Sequence, residues 1–284
     1  MKKTLLINKS FKLIQMIRVI HALSESDYSV AIPPTEIEKF SILINKFGLS
    51  FANAHDRANA IDITHQVRLS HSKPQTSIGK LSRTLIFPTI VTKYCRSIWE
   101  ENRTINYSFQ GLVTNERKPL IEGWLSKNIL GKQIGKREIP NTNSRRYRLR
   151  KKFLSKLGLD HTIEVEIGDF LLWSSDRGRR FPIKAWDDKY FKVLANSKFV
   201  LCPGGDYIWS YRFFEAILCG AIPIVERSCE AYEGFRFFTF EDNAKELKWR
   251  LDDVEFNYAL CLEKLTIPQN ELNGAIAAII QGSV

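Results

Sequence analysis

No stretch of this 284-residue chain reaches the roughly 18–20 apolar residues that a membrane-spanning helix needs. The opening Met1-Lys2-Lys3 has the basic character of a secretory signal. However, Lys9, Lys12 and Arg18 interrupt the apolar residues behind it, and no small-residue cleavage site follows. A cytoplasmic location is the expectation. Cysteine is scarce and unpatterned: the five residues, Cys95, Cys202, Cys219, Cys229 and Cys261, are odd in number, and no pair has metal-ligand spacing. Cys202 and Cys219 stand in apolar runs, where a free thiol packs as a small hydrophobe. A disulfide framework is not expected, and the usage suits a reducing compartment. Acidic charge is also short, with 31 Asp and Glu against 42 Lys and Arg, a net of +11. Such a surface attracts nucleotide phosphates, nucleic acid, anionic lipid or acidic polysaccharide, and charge alone does not choose among them. There is no internal repeat and no low-complexity segment.

What remains has the makings of a globular core. The chain is 44% hydrophobic and 26% charged, and its length allows one large domain or two small ones. Thr4 to Ile7 reads as a strand. Leu13, Ile14, Ile17, Ile20 and Leu23 have helical spacing within 11–23. Tyr28 to Ile32 reads as a second strand, stopped by Pro33-Pro34, and Thr35 with Glu38 predicts a capping box for a helix to about Phe47. This alternation predicts a small layered α/β domain over residues 1–103. Residues 53–84 are polar and weakly periodic, so loops and one strand near Ile61 to Val67 are expected, with a helix after Pro88.

A second α/β domain is expected over residues 104–284. Ile105 to Phe109 reads as a strand, Lys118 to Asn128 as an amphipathic helix, Ser144 to Leu157 as a basic helix and Thr162 to Ile167 as a strand. Asp187 predicts a helix start, which is the better reading of Asp187-Asp188 than a metal-binding pair. Asp252-Asp253 reads as a solvated helix end, so no metal site is expected. A strand at Arg236 to Thr239 and helices after Asp242 and after Pro268 complete the chain.

The chemistry is concentrated in residues 199–225, FVLCPGGDYIWSYRFFEAILCGAIPIV. A buried strand runs into Pro203-Gly204-Gly205, then a loop, a helix and a second buried strand. Such a unit crosses over right-handed and forms a parallel pair, with ligands bound beyond the carboxyl ends of its strands. Ser210 is a good N-cap, Gly220 a C-terminal stop, and Phe213, Phe214, Ile217 and Leu218 a buried face. The free N–H groups of the first turn favour an anion, and Arg212 adds a positive charge there. Glu215 lies one turn along, where a carboxylate can accept hydrogen bonds from two ribose hydroxyls. Gly204 and Gly205 allow close approach of a ligand to the backbone.

The stretch SKFVLCPGGDYIWSYRFFEAILCGAIPIV resembles the donor-binding signature of the exostosin-like glycosyltransferases. That signature runs S-K-F-x-L-x-P-x-G, then S-x-R-x-x-E-A, then G-x-I-P-V. The matching positions are Ser197, Lys198, Phe199, Leu201, Pro203, Gly205, Ser210, Arg212, Glu215, Ala216, Gly220, Ile222 and Pro223. Upstream, Tyr107-Ser108-Phe109-Gln110-Gly111 followed by Arg117 resembles the first strand and loop of the same domain. The resemblance implies a GT-B fold, with two Rossmann-like domains facing a cleft, here with a small first domain. It implies a nucleotide-sugar donor, UDP- or GDP-linked, no cofactor, metal-independent transfer and a glycan or glycolipid acceptor. Eukaryotic relatives carry a membrane anchor. This chain shows none, so a bacterial or viral-type cytoplasmic enzyme building a surface polysaccharide is expected.

Inverting transfer needs a base for the acceptor hydroxyl. Asp56 is the first candidate and His55 the second, on a loop Asn53 to Arg57, with Asp62, His65 and Glu101 behind them. The plain alternative is that Asp56 pairs with Arg57. A retaining enzyme would use a carboxylate nucleophile instead, and a non-enzymatic basic module binding nucleic acid or anionic lipid also fits the charge. The basic stretches Arg145 to Lys152 and Arg177 to Arg180 suit a solvated face, or contact with an anionic membrane or acceptor glycan. Aromatic residues there are too few for nucleic acid to be the expected partner.

Overall fold

The structure is a computed structural model. It describes residues 2–70, 72–130, 145–157, 163–174 and 185–282. The expected helix start at Ser144, the expected strand start at Thr162 and the basic stretch Arg177 to Arg180 lie outside the described residues. The chain forms two compact units. The first comprises Met1–Tyr94, Arg180–Asp187 and Cys261–Val284; the second comprises Cys95–Arg179 and Asp188–Leu260.

In the first unit, β1 (Thr4–Leu6), β2 (Ser29–Ala31) and β3 (Ile61–Asp62) make a parallel sheet in the order β2-β1-β3. Leu5 pairs with Val30 on one side and Ile61 on the other. Between β1 and β2 runs α1 (Ile14–Leu23), which starts later than the Phe11 end of the expected span and is buried along nearly its whole length. Its polar residues recur on one face. Gln15 Nε2 bonds to Thr76 Oγ1 at 3.3 Å and to Ile86 O at 3.2 Å, and Arg18 lies 4.0 Å from the Phe87 ring centre.

The capping box at Thr35 and Glu38 does not form. Pro34 opens α2 (Pro34–Ile37), because its fixed φ suits a first helical turn. The helix then tightens through Glu38–Phe40 and resumes as α3 (Ser41–Phe47), ended by Gly48 at φ 67°. Residues 53–84 hold more structure than loops. They form α4 (Ala54–Ala58), capped by Asn53, and an antiparallel sheet of β4 (Val67–Ser70), β5 (Gln75–Ile78) and β6 (Leu81–Arg83). These strands have three or four residues each, too few to show a period-2 pattern. The expected helix after Pro88 is α5 (Thr89–Ser97). The C-terminal helix Gln269–Gly282 belongs to this unit. Arg83 makes a two-pronged bond to Glu271 at 2.8 and 2.6 Å, and Asp27 accepts from Asn273 at 2.6 Å and Gln269 at 3.0 Å.

The second unit is built on a six-stranded sheet. Its strands are β7 (Ile105–Gln110), β8 (Ile163–Ile167), β9 (Phe170–Ser174), β10 (Ser197–Cys202), β11 (Ile222–Val225) and β12 (Phe238–Thr239), in the order β12-β11-β10-β7-β9-β8. All pairs are parallel except β8 with β9. The helices include α6 (Arg117–Leu125), α7 (Arg145–Lys156), α8 (Asp188–Ala195), α9 (Tyr211–Leu218) and most of α10 (Leu251–Leu265). After Asp242 there is only a short turn, Ala244–Glu246, before α10. All four residues of β11 are buried, as a parallel strand covered on both faces requires. Phe109, Trp124, Leu172, Phe199, Leu201, Ile222 and Ile224 form the core.

The strand order contains a reversal. From β7 the chain moves to β9 on one side, then returns to β10 on the other side and continues to β11 and β12. The switch point lies between β7 and β10, and the crevice beyond their carboxyl ends is where open parallel sheets bind ligands. Among the described residues no helix is long and apolar enough to cross a membrane.

Candidate functional site

The helix at the switch point is anchored by its buried face and its far end. Phe213, Phe214, Ile217 and Leu218 are fully buried, and Phe213 stacks on Tyr232 with ring centres 3.7 Å apart. At the carboxyl end of α9, Trp99 Nε1 donates to Leu218 O at 2.8 Å. Arg103 donates to Cys219 O at 3.0 Å and to Ser197 O at 2.8 Å. These bonds occupy carbonyls that a helix terminus leaves without partners, and they place positive charge against the negative end of the dipole.

The other end of α9 faces the switch point. Ser210 occupies the N-cap position with extended backbone, φ −140° and ψ 146°, but its side chain makes no capping bond. Instead its N–H donates to the Tyr232 hydroxyl at 2.8 Å, and its buried Oγ has no partner. The cap was expected from sequence; its missing hydrogen bond was not.

Two arginines meet here, Arg212 buried and Arg117 half-buried. Arg212, only 8% exposed, donates from Nε to Gln110 O at 2.5 Å and lies 4.3 Å from the Phe109 ring centre. Its Nη1 has no partner. Arg117, at the start of α6, donates to Gly204 O at 2.8 Å and Leu112 O at 3.3 Å. Burial, and then the neighbouring Arg212 charge, push the Arg117 guanidinium down to about 10. Among the described residues neither arginine forms an ion pair with a carboxylate. Two like charges held together in this way favour a bound anion.

The glycines serve these arginines. A Cβ on Gly205 would collide with Arg117 Nη2, and one on Gly111 with Arg212 Nη2. The Gly205 N–H is already donated to Tyr207 O at 2.9 Å, and Gly204 O accepts from Arg117. Gly204 and Gly205 were expected to let a ligand approach the backbone. In the structure Gly205 makes room for a guanidinium, and Gly204 offers it a carbonyl.

More unsatisfied groups stand at the same end of the sheet. Gln110, the last residue of β7, is fully buried, and neither its Oε1 nor its Nε2 has a partner. Trp173, paired with it in register on β9, has an unpartnered Nε1. Each buried polar group left in this state costs about 1–3 kcal/mol unless something binds it. Glu215 is 3% exposed and accepts a hydrogen bond from the Tyr190 hydroxyl of α8 at 2.6 Å. Burial pushes the Cys202 thiol up to about 12, which leaves it an inert packing group.

Gly204, Gly205, Ser210, Arg212 and Glu215 are therefore brought together. Sequence reasoning placed Gln110 and Arg117 in the preceding strand and loop without assigning them to the site, although the order strand, Gln-Gly, Arg was visible. Tyr190 gave no signal. Asp56 and His55 lie in the first unit on α4, a short helix rather than the expected loop, because Asn53 Oδ1 accepts from Asp56 N at 2.9 Å. His55 is exposed and Asp56 half-buried, and Asp56 makes no ion pair with Arg57. Asp62 accepts from Thr64 N at 2.8 Å, His65 and Glu101 are exposed, and Asp253 pairs with Arg236 at 2.7 Å.

A groove of about 790 Å³ lies at the opposite, amino-terminal end of the same strands, lined by Asn106, Tyr107, Lys198, Phe199 and Trp249 among others. Several of its polar groups are already engaged. Lys198 bonds to Asn106 at 2.9 Å, the Tyr107 hydroxyl donates to Ala244 O at 2.8 Å and Trp249 Nε1 to Gly220 O at 3.2 Å. The switch point, with its unpartnered groups and paired cations, is the better candidate.

In comparison with known families, the model described as the Exostosin GT47 domain matches residues 84–228. That span includes Gln110, Arg117, Arg212 and Glu215 and excludes His55 and Asp56. Comparison with curated proteins found no match.

Proposed function

This chain belongs to the exostosin GT47 glycosyltransferase family, and from that premise we propose that Arg117 and Arg212 hold the diphosphate of a nucleotide-sugar donor. The observation that carries this is the pair of guanidinium groups at the switch point, Arg212 buried and Arg117 half-buried, neither of them ion-paired with a carboxylate among the described residues. A diphosphate fits two forked donors better than a monophosphate does. The same two charges would stabilise the leaving diphosphate as the glycosidic bond breaks, which supports transfer without a metal. Ser210 Oγ and the Gln110 amide would complete the phosphate contacts. Glu215 would accept from the ribose hydroxyls, its carboxylate oriented by Tyr190.

In this reading the two units form a GT-B enzyme, and the acceptor is a glycan or glycolipid of a surface polysaccharide. Transfer inverts the sugar. The acceptor oxygen attacks the anomeric carbon, its proton passes to Asp56 or His55, and the nucleoside diphosphate leaves from the opposite face.

The test is thermal unfolding of the full chain with UDP, GDP, CDP, CMP and ADP. One diphosphate should raise the midpoint selectively, since a ligand at a hundred times its Kd adds about 2.7 kcal/mol. Equal shifts from all five, or none from any, would remove the donor site from this crevice.

A further inference from the structure

The helix α7 reads RRYRLRKKFLSK and contains no acidic residue. Arg145, Arg146, Arg148, Arg150 and Lys152 are all exposed. Between these charges lies a feature that charge does not explain. Leu149 is 59% exposed, Phe153 64% and Leu157, in the turn that closes the helix, 59%. Steps of four residues advance one helical turn plus about 40°, so the three side chains stand within one stripe. Tyr147, which is buried, and Leu154, which is half-buried, occupy the side turned into the protein. The helix thus has two apolar faces, one packed and one open.

We infer that α7 is a docking face for an anionic lipid bilayer, with Leu149, Phe153 and Leu157 among the acyl chains and the arginines among the headgroups. Charge complementarity selects an anionic partner, and the apolar stripe selects among anionic partners. An acidic glycan or an RNA would engage the guanidinium groups and leave Leu149 and Leu157 in water. An amphipathic basic helix lying in the interface buries both. Each basic side chain near an anionic surface contributes about fivefold in affinity. The inference is independent of the donor site.

The experiment is co-sedimentation of the full chain with vesicles of phosphatidylcholine alone and with phosphatidylglycerol added. The parent should bind the anionic vesicles at least about tenfold more tightly than the neutral ones. The variant L149S/F153S should lose about tenfold or more, because two apolar side chains no longer enter the bilayer. Both positions are exposed, so its thermal midpoint should match the parent's. The variant R145Q/R150Q should lose affinity only for the anionic vesicles. No preference for anionic vesicles overturns the inference. So does full retention of binding by L149S/F153S, which would mean the stripe never leaves water. Tight binding of polyuridylate with no vesicle binding would assign the face to nucleic acid instead.

Discussion

Replacing Arg117 with methionine separates a binding role from a structural one. Met keeps much of the buried stem and removes the charge. If Arg117 were only a tie, its loss would free Gly204 O and Leu112 O, two carbonyls it holds at 2.8 and 3.3 Å. That would cost about 1–3 kcal/mol for each buried acceptor left unpaired. Against this stands the removal of a half-buried cation that forms no ion pair among the described residues, beside a second cation, Arg212, whose field already helps push it down to about 10. The two effects oppose each other, so the free protein should change by less than about 2 kcal/mol. Diphosphate binding has no such offset. Loss of a charge-assisted contact costs about 1.5–3 kcal/mol, a factor of about ten to a hundred and fifty in Kd. Calorimetric titration with the preferred nucleoside diphosphate reads the second quantity, and chemical unfolding reads the first. A variant that is several kcal/mol less stable yet binds the diphosphate as the parent does would make Arg117 a loop tie and refute the reasoning.

Further outcomes follow from the structure. Gly205→Ala places a methyl against the movable tip of Arg117, so nucleotide affinity should fall about tenfold while stability stays within about 1 kcal/mol. Gly111→Ala meets Arg212 and also a strained φ of 149°, and should lose both; unchanged affinity in either variant would contradict the cradle. Glu215→Gln should weaken a ribonucleotide more than its 2′-deoxy analogue, whereas Tyr190→Phe should weaken both mildly; equal losses for the two nucleotides in Glu215→Gln would make Glu215 a structural partner of Tyr190. Burial pushes His21 down to about 4, so the folded protein takes up its proton later than the unfolded chain. Its contribution is whole above pH 6.5 and declines towards pH 4; stability should fall by about 2–3 kcal/mol between pH 7 and pH 4.5, a decline that His21→Leu flattens and that an unaltered profile in the variant would disprove. Asp56→Asn or His55→Ala should abolish sugar transfer with donor binding retained, in EDTA as in buffer; transfer at the parent rate by both variants would place the base elsewhere.

The parts of the fold that were legible are those whose pattern is long or whose ends are marked. The β10-loop-α9-β11 unit carried buried runs, a serine at the cap, a glycine stop and a signature, and its strands and helix formed as read, although Ser210 makes no capping bond. The sheet β4-β5-β6 was not legible, because its strands are short and its apolar positions few. The strand β9 follows β8 after only Gly168 and Asp169, and FLLWS shows no alternation to separate it from a helix segment. The packing of the helix Gln269–Gly282 in the first unit depends on side chains such as Glu271 and Asn273, whose partners lie some two hundred positions away. At the site, sequence identified Arg212 by its place in a helix start. It did not reveal that Arg212 meets Arg117, since that pairing arises from two helix starts brought together by strand order. Nor could it show that Gly111 and Gly205 give space to arginines. A glycine in a sequence tells that a Cβ is unwelcome without telling what it would strike.

The central claim is that the donor diphosphate sits between Arg117 and Arg212 at the switch point of β7 and β10. Crystals of the parent protein soaked with the diphosphate that gives the largest thermal shift test it most directly. The account predicts phosphate oxygens within hydrogen-bond reach of Arg212 Nη1 and the Arg117 guanidinium, with the ribose beside Glu215. Nucleotide density in the opposite groove of Tyr107 and Trp249, with the two arginines unvisited, would contradict it.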